Sequence, residues 1–125
     1  MDNNLKILKT IDTENNIWII YFILIGLSFW ANSYEKKYYI YNDLKSKEKY
    51  RQINTLVFSI ALVVYNYFFT SNYNDYKNLK QSDSSRKKFL NEINYLASLL
   101  ILVAGTIFLF ISIFDTDLDT EIAFS

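Results

Sequence analysis

Cysteine, histidine and proline are absent from this sequence of 125 residues, and glycine occurs only at Gly26 and Gly105. Without cysteine, the chain cannot form a disulfide, bind zinc through thiolates or use a cysteine nucleophile. Without histidine, it lacks the commonest general base and the commonest metal ligand. Because proline is missing and glycine is rare, nothing local interrupts long helices.

An excess of either charge is also absent, since 13 basic residues balance 13 acidic residues. A nucleic-acid-binding protein needs a clustered basic surface, so we expect no nucleic-acid partner. The chain is long enough for one domain. Its abundance of asparagine, lysine, isoleucine and tyrosine is typical of AT-rich coding and favours a bacterial source.

The sequence does contain three long apolar segments: Ile17–Tyr34, Ile53–Phe69 and Tyr95–Phe114. The third is 20 residues long and uncharged, which is the length that crosses a bilayer core of about 30 Å. The first is also uncharged. The second has a shorter apolar part and contains Asn54 and Asn66, which leaves open a re-entrant segment, an interfacial helix or a buried soluble helix.

A soluble three-helix bundle would show a polar face on every helix. The third segment has no such face, because its only polar side chains after Tyr95 are Ser98, Thr106 and Ser112. We therefore predict an all-α integral membrane protein. Its three transmembrane helices span about 15–41, 47–76 and 86–114, in an antiparallel bundle whose helices extend past the bilayer.

The predicted organisation is a single membrane domain over residues 1–125. Residues 1–14 form a polar or amphipathic N-terminal tail, and residues 115–125 form an acidic C-terminal tail. Asp12 and Glu14 lie between the first lysines and the first apolar segment, which is unlike a cleaved signal peptide. We expect the first segment to remain as an uncleaved span.

Aromatic residues concentrate at the ends of the apolar segments, as in "LVVYNYFFTSNYNDYK" from Leu62 to Lys77. Tryptophan and tyrosine prefer the headgroup level of a membrane, since part of each ring is apolar and part can form hydrogen bonds. A base-stacking surface would instead interleave basic residues with the rings. We predict interfacial anchors at Trp18, Trp30, Tyr34, Tyr65, Tyr67 and Tyr73.

Small and polar residues recur every seven positions within the apolar segments, an interval that suits left-handed helix packing. These residues predict a helix-packing seam. If the protein is an oligomer, the same residues could line a pore, because three helices alone leave no lumen. The predicted seam consists of Gly26, Ser33, Thr55, Ser59, Asn66, Ser98, Gly105 and Ser112.

The C-terminal "DTDLDTE" places four acidic residues at alternate positions, as at the start of a calcium-binding loop. Thr120 stands where such a loop requires glycine, and the sequence ends before the twelfth position. We predict a solvated acidic tail, without a metal or another cofactor. No Asp, Glu, Lys, Arg or His lies inside any of the three apolar segments, which argues against an ion-coupled transporter and against catalytic residues.

The positive-inside rule does not choose an orientation. With three crossings, six lysines and arginines lie on one side and seven on the other. If the first helix dominates, the N-terminus is outside and the C-terminus inside. Otherwise the second segment does not cross, or the protein inserts both ways.

These features predict a small non-enzymatic multi-pass protein of the inner or plasma membrane. It would act as a membrane subunit, scaffold or interaction partner, in contact with the bilayer and with a second copy or another membrane protein. The alternative is an oligomeric, holin-like or toxin-like pore-former. In size and number of spans the chain resembles small holins, but no motif supports the comparison and the tail is acidic.

Overall fold

The computed structural model describes the backbone of residues 2–120 and their side chains from Asn3 onward. This part of the chain forms three α-helices, α1 (Asp2–Tyr41), α2 (Leu44–Lys77) and α3 (Ser85–Phe114). Consecutive helices run antiparallel, and each is long and apolar enough to cross a membrane. The predicted all-α fold with three antiparallel candidate spans is confirmed.

The helices are longer than a bilayer core is thick. At 1.5 Å per residue, α1, α2 and α3 measure about 60, 51 and 45 Å. The uncharged part of each helix is shorter: Asn15–Tyr34, Gln52–Asn74 and Ile93–Phe114. These three uncharged windows match a core of about 30 Å, so the charged helix ends extend past it.

The observed boundaries of α2 and α3 lie within three residues of the predicted ones, but α1 begins much earlier than residue 15. The predicted N-terminal tail is therefore a helical extension of α1 in its described part. No proline or glycine interrupts residues 2–14. The hydroxyls of Thr10 and Thr13 donate to the carbonyls of Lys6 and Lys9 within the same helix, each at 3.0 Å.

Much of the apolar surface of the helices faces outward. Phe22 and Phe29 of α1 are both 74% exposed, and Val63 of α2 is 71% exposed. In water such a surface would drive aggregation, whereas in a bilayer it contacts lipid chains at no cost. The outward apolar side chains therefore agree with the candidate spans.

The turn between α1 and α2 contains only two residues. Asn42 has a positive φ of 53°, a left-handed conformation that asparagine tolerates at a helix end. Asp43 then caps α2, because its carboxylate accepts from the backbone N–H of Lys45 at 3.1 Å and from the Ser46 hydroxyl at 2.8 Å. This cap starts α2 at Leu44, three residues before the predicted position.

The chain divides into two compact units, Met1–Val57 and Phe58–Ser125, with the boundary inside α2. In the first unit, the buried apolar residues of α1 are Ile17, Leu24 and Ala31, which are seven residues apart. The second unit contains the rest of α2 and all of α3. Its buried residues include Phe58, Ala61, Val64, Ser98, Gly105 and Ser112.

Candidate functional site

The seam between α2 and α3 in the second unit is centred on Gly105. A β-carbon placed on Gly105 would lie 2.8 Å from Cδ2 of Tyr65 and 3.5 Å from Cδ1 of Leu62. Gly105 therefore admits the Tyr65 ring against the backbone of α3. Ser98 and Ser112, one heptad to either side, are also buried. These three members of the predicted seam share one buried stripe.

Aromatic and hydroxyl groups complete this seam. The rings of Phe58 and Phe108 lie 5.9 Å apart between the same two helices. The Ser98 hydroxyl donates to the Tyr95 carbonyl at 2.8 Å, so it satisfies its hydrogen bond within α3. Close packing at Gly105 and the ring contact between Phe58 and Phe108 therefore contribute to holding this seam.

An aromatic cluster surrounds Tyr95 at one end of this seam. The Tyr95 ring centroid lies 5.4 Å from that of Phe69, 5.8 Å from that of Tyr73 and 5.6 Å from that of Tyr76. The Tyr76 ring is stacked on Tyr95 with an interplanar angle of 24°. Tyr95 lies near the start of an uncharged window, so we assign the cluster to the headgroup level.

An open groove of about 340 Å³ adjoins the aromatic cluster, and its walls are mainly apolar. Glu92 supplies a carboxylate at the polar end of α3. The groove has no convergent set of acid, base and nucleophile, so it offers no catalytic arrangement. The residues that line it are Tyr76, Phe89, Glu92, Ile93, Tyr95 and Leu96.

The sequence did not identify Tyr95 as a member of this site, although it did identify Tyr73. A signal was available: Tyr95 is the first residue of the third apolar segment, and antiparallel helices bring that point beside the end of the second. Tyr65 differs from its expected role as an anchor. It lies within the uncharged window of α2, where its ring packs over Gly105.

The other predicted seam residues are not in this stripe. On α1, Gly26 and Ser33 are exposed, and a β-carbon on Gly26 would meet no atom within 4 Å. The Ser33 hydroxyl donates to the Trp30 carbonyl at 2.6 Å. Burial on α1 follows the same seven-residue interval through Ile17, Leu24 and Ala31 instead.

The polar residues of α2 differ in their exposure. Thr55 and Ser59 are partly buried, whereas Asn66 and Thr70 are exposed. Asn54 is the buried asparagine of this helix and is 5% exposed. The row predicted along α2 therefore passes from partly buried positions at Thr55 and Ser59 to exposed positions at Asn66 and Thr70.

The predicted tryptophan anchors point outward beside tyrosine rings. Trp18 is 62% exposed and makes an edge contact with Tyr21 at 5.6 Å, and Trp30 lies 5.8 Å from Tyr34. Tyr67 is also exposed, next to Phe68 on α2. Trp18 and Trp30 lie near the two ends of the uncharged window of α1, a position that tryptophan favours in helices that cross a membrane.

Basic side chains stand beside tyrosine rings at the end of α1 and the start of α2. The Lys37 ammonium lies 5.6 Å from the centroid of Tyr34, and the Lys47 ammonium lies 5.3 Å from that of Tyr38. Both are cation–π contacts. They place positive charge just outside the uncharged window of α1.

Two loop carboxylates are held in their charged forms. The Ser46 hydroxyl and nearby backbone N–H groups lower the pKa of Asp43. The Lys80 backbone N–H, at 2.7 Å, and the Lys87 ammonium, at 3.1 Å, lower the pKa of Asp83. Both carboxylates organise the helix connections.

The α2–α3 connection is further closed by the cap of α3. The Ser84 side chain accepts from the backbone N–H of Lys87 at 3.1 Å. The Lys88 ammonium donates to the Gln81 carbonyl at 3.1 Å. Lys87 and Lys88 are thus both engaged within the loop.

The acidic tail folds back on itself in its described part, residues 115–120. The Asp115 carboxylate accepts from the backbone N–H groups of Asp119 at 2.9 Å and Thr120 at 2.8 Å. Between residues 2 and 120, no three acidic side chains group as a metal site would require. Residues 121–125, which include the fourth acidic residue of the tail, lie outside the described residues.

The chain matches no protein-family profile, no curated protein and no solved structure. The assignment of a function therefore depends on the geometry described above.

Proposed function

We propose that this protein is a small non-enzymatic membrane subunit or scaffold. The observation that supports this most is that several polar groups inside the uncharged windows take part in helix packing or in hydrogen bonds within their own helix. Ser98 and Gly105 lie in a closed packing stripe, and the hydroxyls of Ser28 and Thr106 donate to carbonyls of their own helices at 2.8 Å. None of these groups is left to bind an ion or to act on a substrate.

The proposed partners are the lipid bilayer and another membrane protein or a second copy of this chain. Six basic residues lie in the segment from Lys36 to Arg51, beside tyrosines at the helix ends. Such a Lys/Tyr-rich end suits a leaflet that contains anionic lipid. We place the protein in the inner or plasma membrane as a three-pass protein, with the N-terminus outside and the C-terminus inside.

A pore-former is the second candidate, and the exposure of Asn66 and Thr70 favours it. Polar side chains on the outer face of a transmembrane helix could line a lumen formed by several copies. In that case Asn66→Leu should abolish permeabilisation. Retained leakage in this variant would exclude the α2 row as the lining.

Membrane potential separates the two functions. The protein is expressed in bacteria with a voltage-sensitive dye, beside an inert transmembrane protein of matched size and membrane level. A subunit or scaffold should leave the potential equal to that of the control. Depolarisation with growth arrest at the same membrane level would contradict the scaffold proposal and support the pore.

A further inference from the structure

Asn66 carries a carboxamide on the outer face of α2, close to the middle of the membrane. The uncharged window Gln52–Asn74 has its midpoint at Val63, three residues before Asn66. At 1.5 Å per residue, Asn66 lies about 4.5 Å from that midpoint along the helix axis. Water is scarce at this depth, so the amide must find its partners in protein.

The amide of Asn66 has no hydrogen-bond partner among residues 2–120. Other polar groups show that a partner on the same helix is available in principle: the Asn91 amide donates to the Lys87 carbonyl at 2.9 Å, and the Thr106 hydroxyl donates to Leu102. A carboxamide has two donor hydrogens and one acceptor oxygen. An exposed, unbonded amide near the bilayer centre therefore indicates a partner outside the chain.

The surface around Asn66 has the pattern of a helix-packing seam. Val63, Asn66, Thr70 and Tyr73 follow one another at intervals of three, four and three residues, and all four are exposed. This is the spacing of core positions in a left-handed coiled coil. A single asparagine in such a seam fixes the register of the two helices.

We propose that this face of α2, from Val63 to Tyr73, binds a second copy of the same chain around a two-fold axis. Copies with a common orientation in one membrane are related by an axis along the membrane normal. Each residue near that axis then meets its own counterpart at the same depth. The two Asn66 amides can each donate to the other's oxygen, because a carboxamide is complementary to itself.

The choice of a second copy follows from this self-complementarity. A lipid chain offers no hydrogen bond, and a lipid headgroup does not reach the depth of Asn66. The inference rests on the proposed function, since it names one partner of the scaffold. The cross-linking experiment that tests this inference is separate from the membrane-potential experiment that tests the scaffold.

The experiment uses the absence of native cysteine. Val63→Cys places one thiol on the proposed interface, and Ile107→Cys places one on an exposed position of α3 as the control. Both proteins are reconstituted, at low protein content, in vesicles of phosphatidylethanolamine and phosphatidylglycerol. A mild oxidant is then added, and the disulfide-linked dimer is quantified by gel.

We expect a dimer from Val63→Cys and only background from Ile107→Cys. Adding Asn66→Leu to Val63→Cys should weaken association by about tenfold, a loss in the range of interhelical hydrogen bonds in membranes. Asn66→Gln should retain most of the dimer. The matched control Asn94→Leu, at an exposed position near the polar end of α3, should leave it unchanged.

Equal cross-linking at positions 63 and 107, or none at position 63, would overturn the proposed interface. Undiminished cross-linking in the Asn66→Leu background would overturn the role of the amide. Helical content measured by circular dichroism shows that each variant is folded. Failure of the dimer leaves the scaffold proposal intact, whereas depolarisation of cells contradicts the scaffold proposal alone.

Discussion

Gly105 and Tyr65 are in close contact, because glycine has no side chain and so leaves room for the Tyr65 ring. A β-carbon on Gly105 would lie 2.8 Å from Cδ2 and 3.1 Å from Cε2 of Tyr65. Neither ring atom is the far end of a flexible chain, so the whole ring or the helix would have to move. This contact sets the approach of α3 to the second half of α2.

Gly105→Ala should therefore destabilise the second unit. We expect a loss of about 1–3 kcal/mol from overpacking, and a larger loss for Gly105→Leu. Thermal unfolding of the detergent-solubilised protein, followed by circular dichroism, measures the effect. The matched control is Gly26→Ala, which meets no atom and should be neutral or stabilising because alanine favours a helix. Equal effects at both glycines would show that Gly105 is not a packing position.

Tyr95 holds three rings of α2, and its aromatic ring should matter more than its hydroxyl. Tyr95→Ala removes contacts with Phe69, Tyr73 and Tyr76 and should cost about 2–4 kcal/mol, since each aromatic pair contributes about 0.5–1.5 kcal/mol beyond buried area. Tyr95→Phe keeps all three contacts, so its free energy of unfolding should lie within about 0.5 kcal/mol of that of the native protein. If the phenylalanine variant were as unstable as the alanine variant, the ring contacts would not be the cause.

Asp83 should make stability depend on pH in the acidic range. Its folded pKa is lowered below the ordinary value of 3.8, chiefly by the Lys80 backbone N–H and then by Lys87. Its contribution is thus complete above the unfolded pKa and is lost as the pH falls through the lower folded pKa.

The measurement compares melting temperatures of the native protein and Asp83→Asn from neutral pH down to about pH 2. The native protein should be more stable near neutrality, and the difference should vanish at the acidic end. Asp12→Asn, a substitution at an exposed carboxylate of α1, is the control and should leave the melting temperature unchanged. A difference between native and Asp83→Asn proteins that persists at the lowest pH would exclude the hydrogen-bonded carboxylate as its source.

Local chemistry determined the features that could be predicted from the sequence. The length and the uncharged character of the apolar segments located α2 and α3. The N-terminal boundary of α1 was missed because a polar sequence without a helix breaker continues a helix as readily as it ends one.

A seven-residue interval does not by itself select one face of a helix. On α1 the interval occurs through Gly26 and Ser33 and also through Leu24 and Ala31, and only the second pair is buried. On α3 the small residues around Gly105 are buried because a tyrosine of α2 fills the space beside them. Which face is buried depends on the shape of the partner helix, and the periodicity of one helix carries no information about that shape.

The central claim of this account is that all three helices cross the membrane. Its most direct test is labelling of single cysteines with a membrane-impermeant maleimide in intact cells and in inverted vesicles. The positions are Leu44→Cys, Ser82→Cys and Thr116→Cys, all at exposed sites in or beside the helix connections and the tail. We predict that positions 44 and 116 are labelled only from the cytoplasmic side and position 82 only from the outside. Labelling of positions 44 and 82 from the same side would contradict the claim, because α2 would not cross.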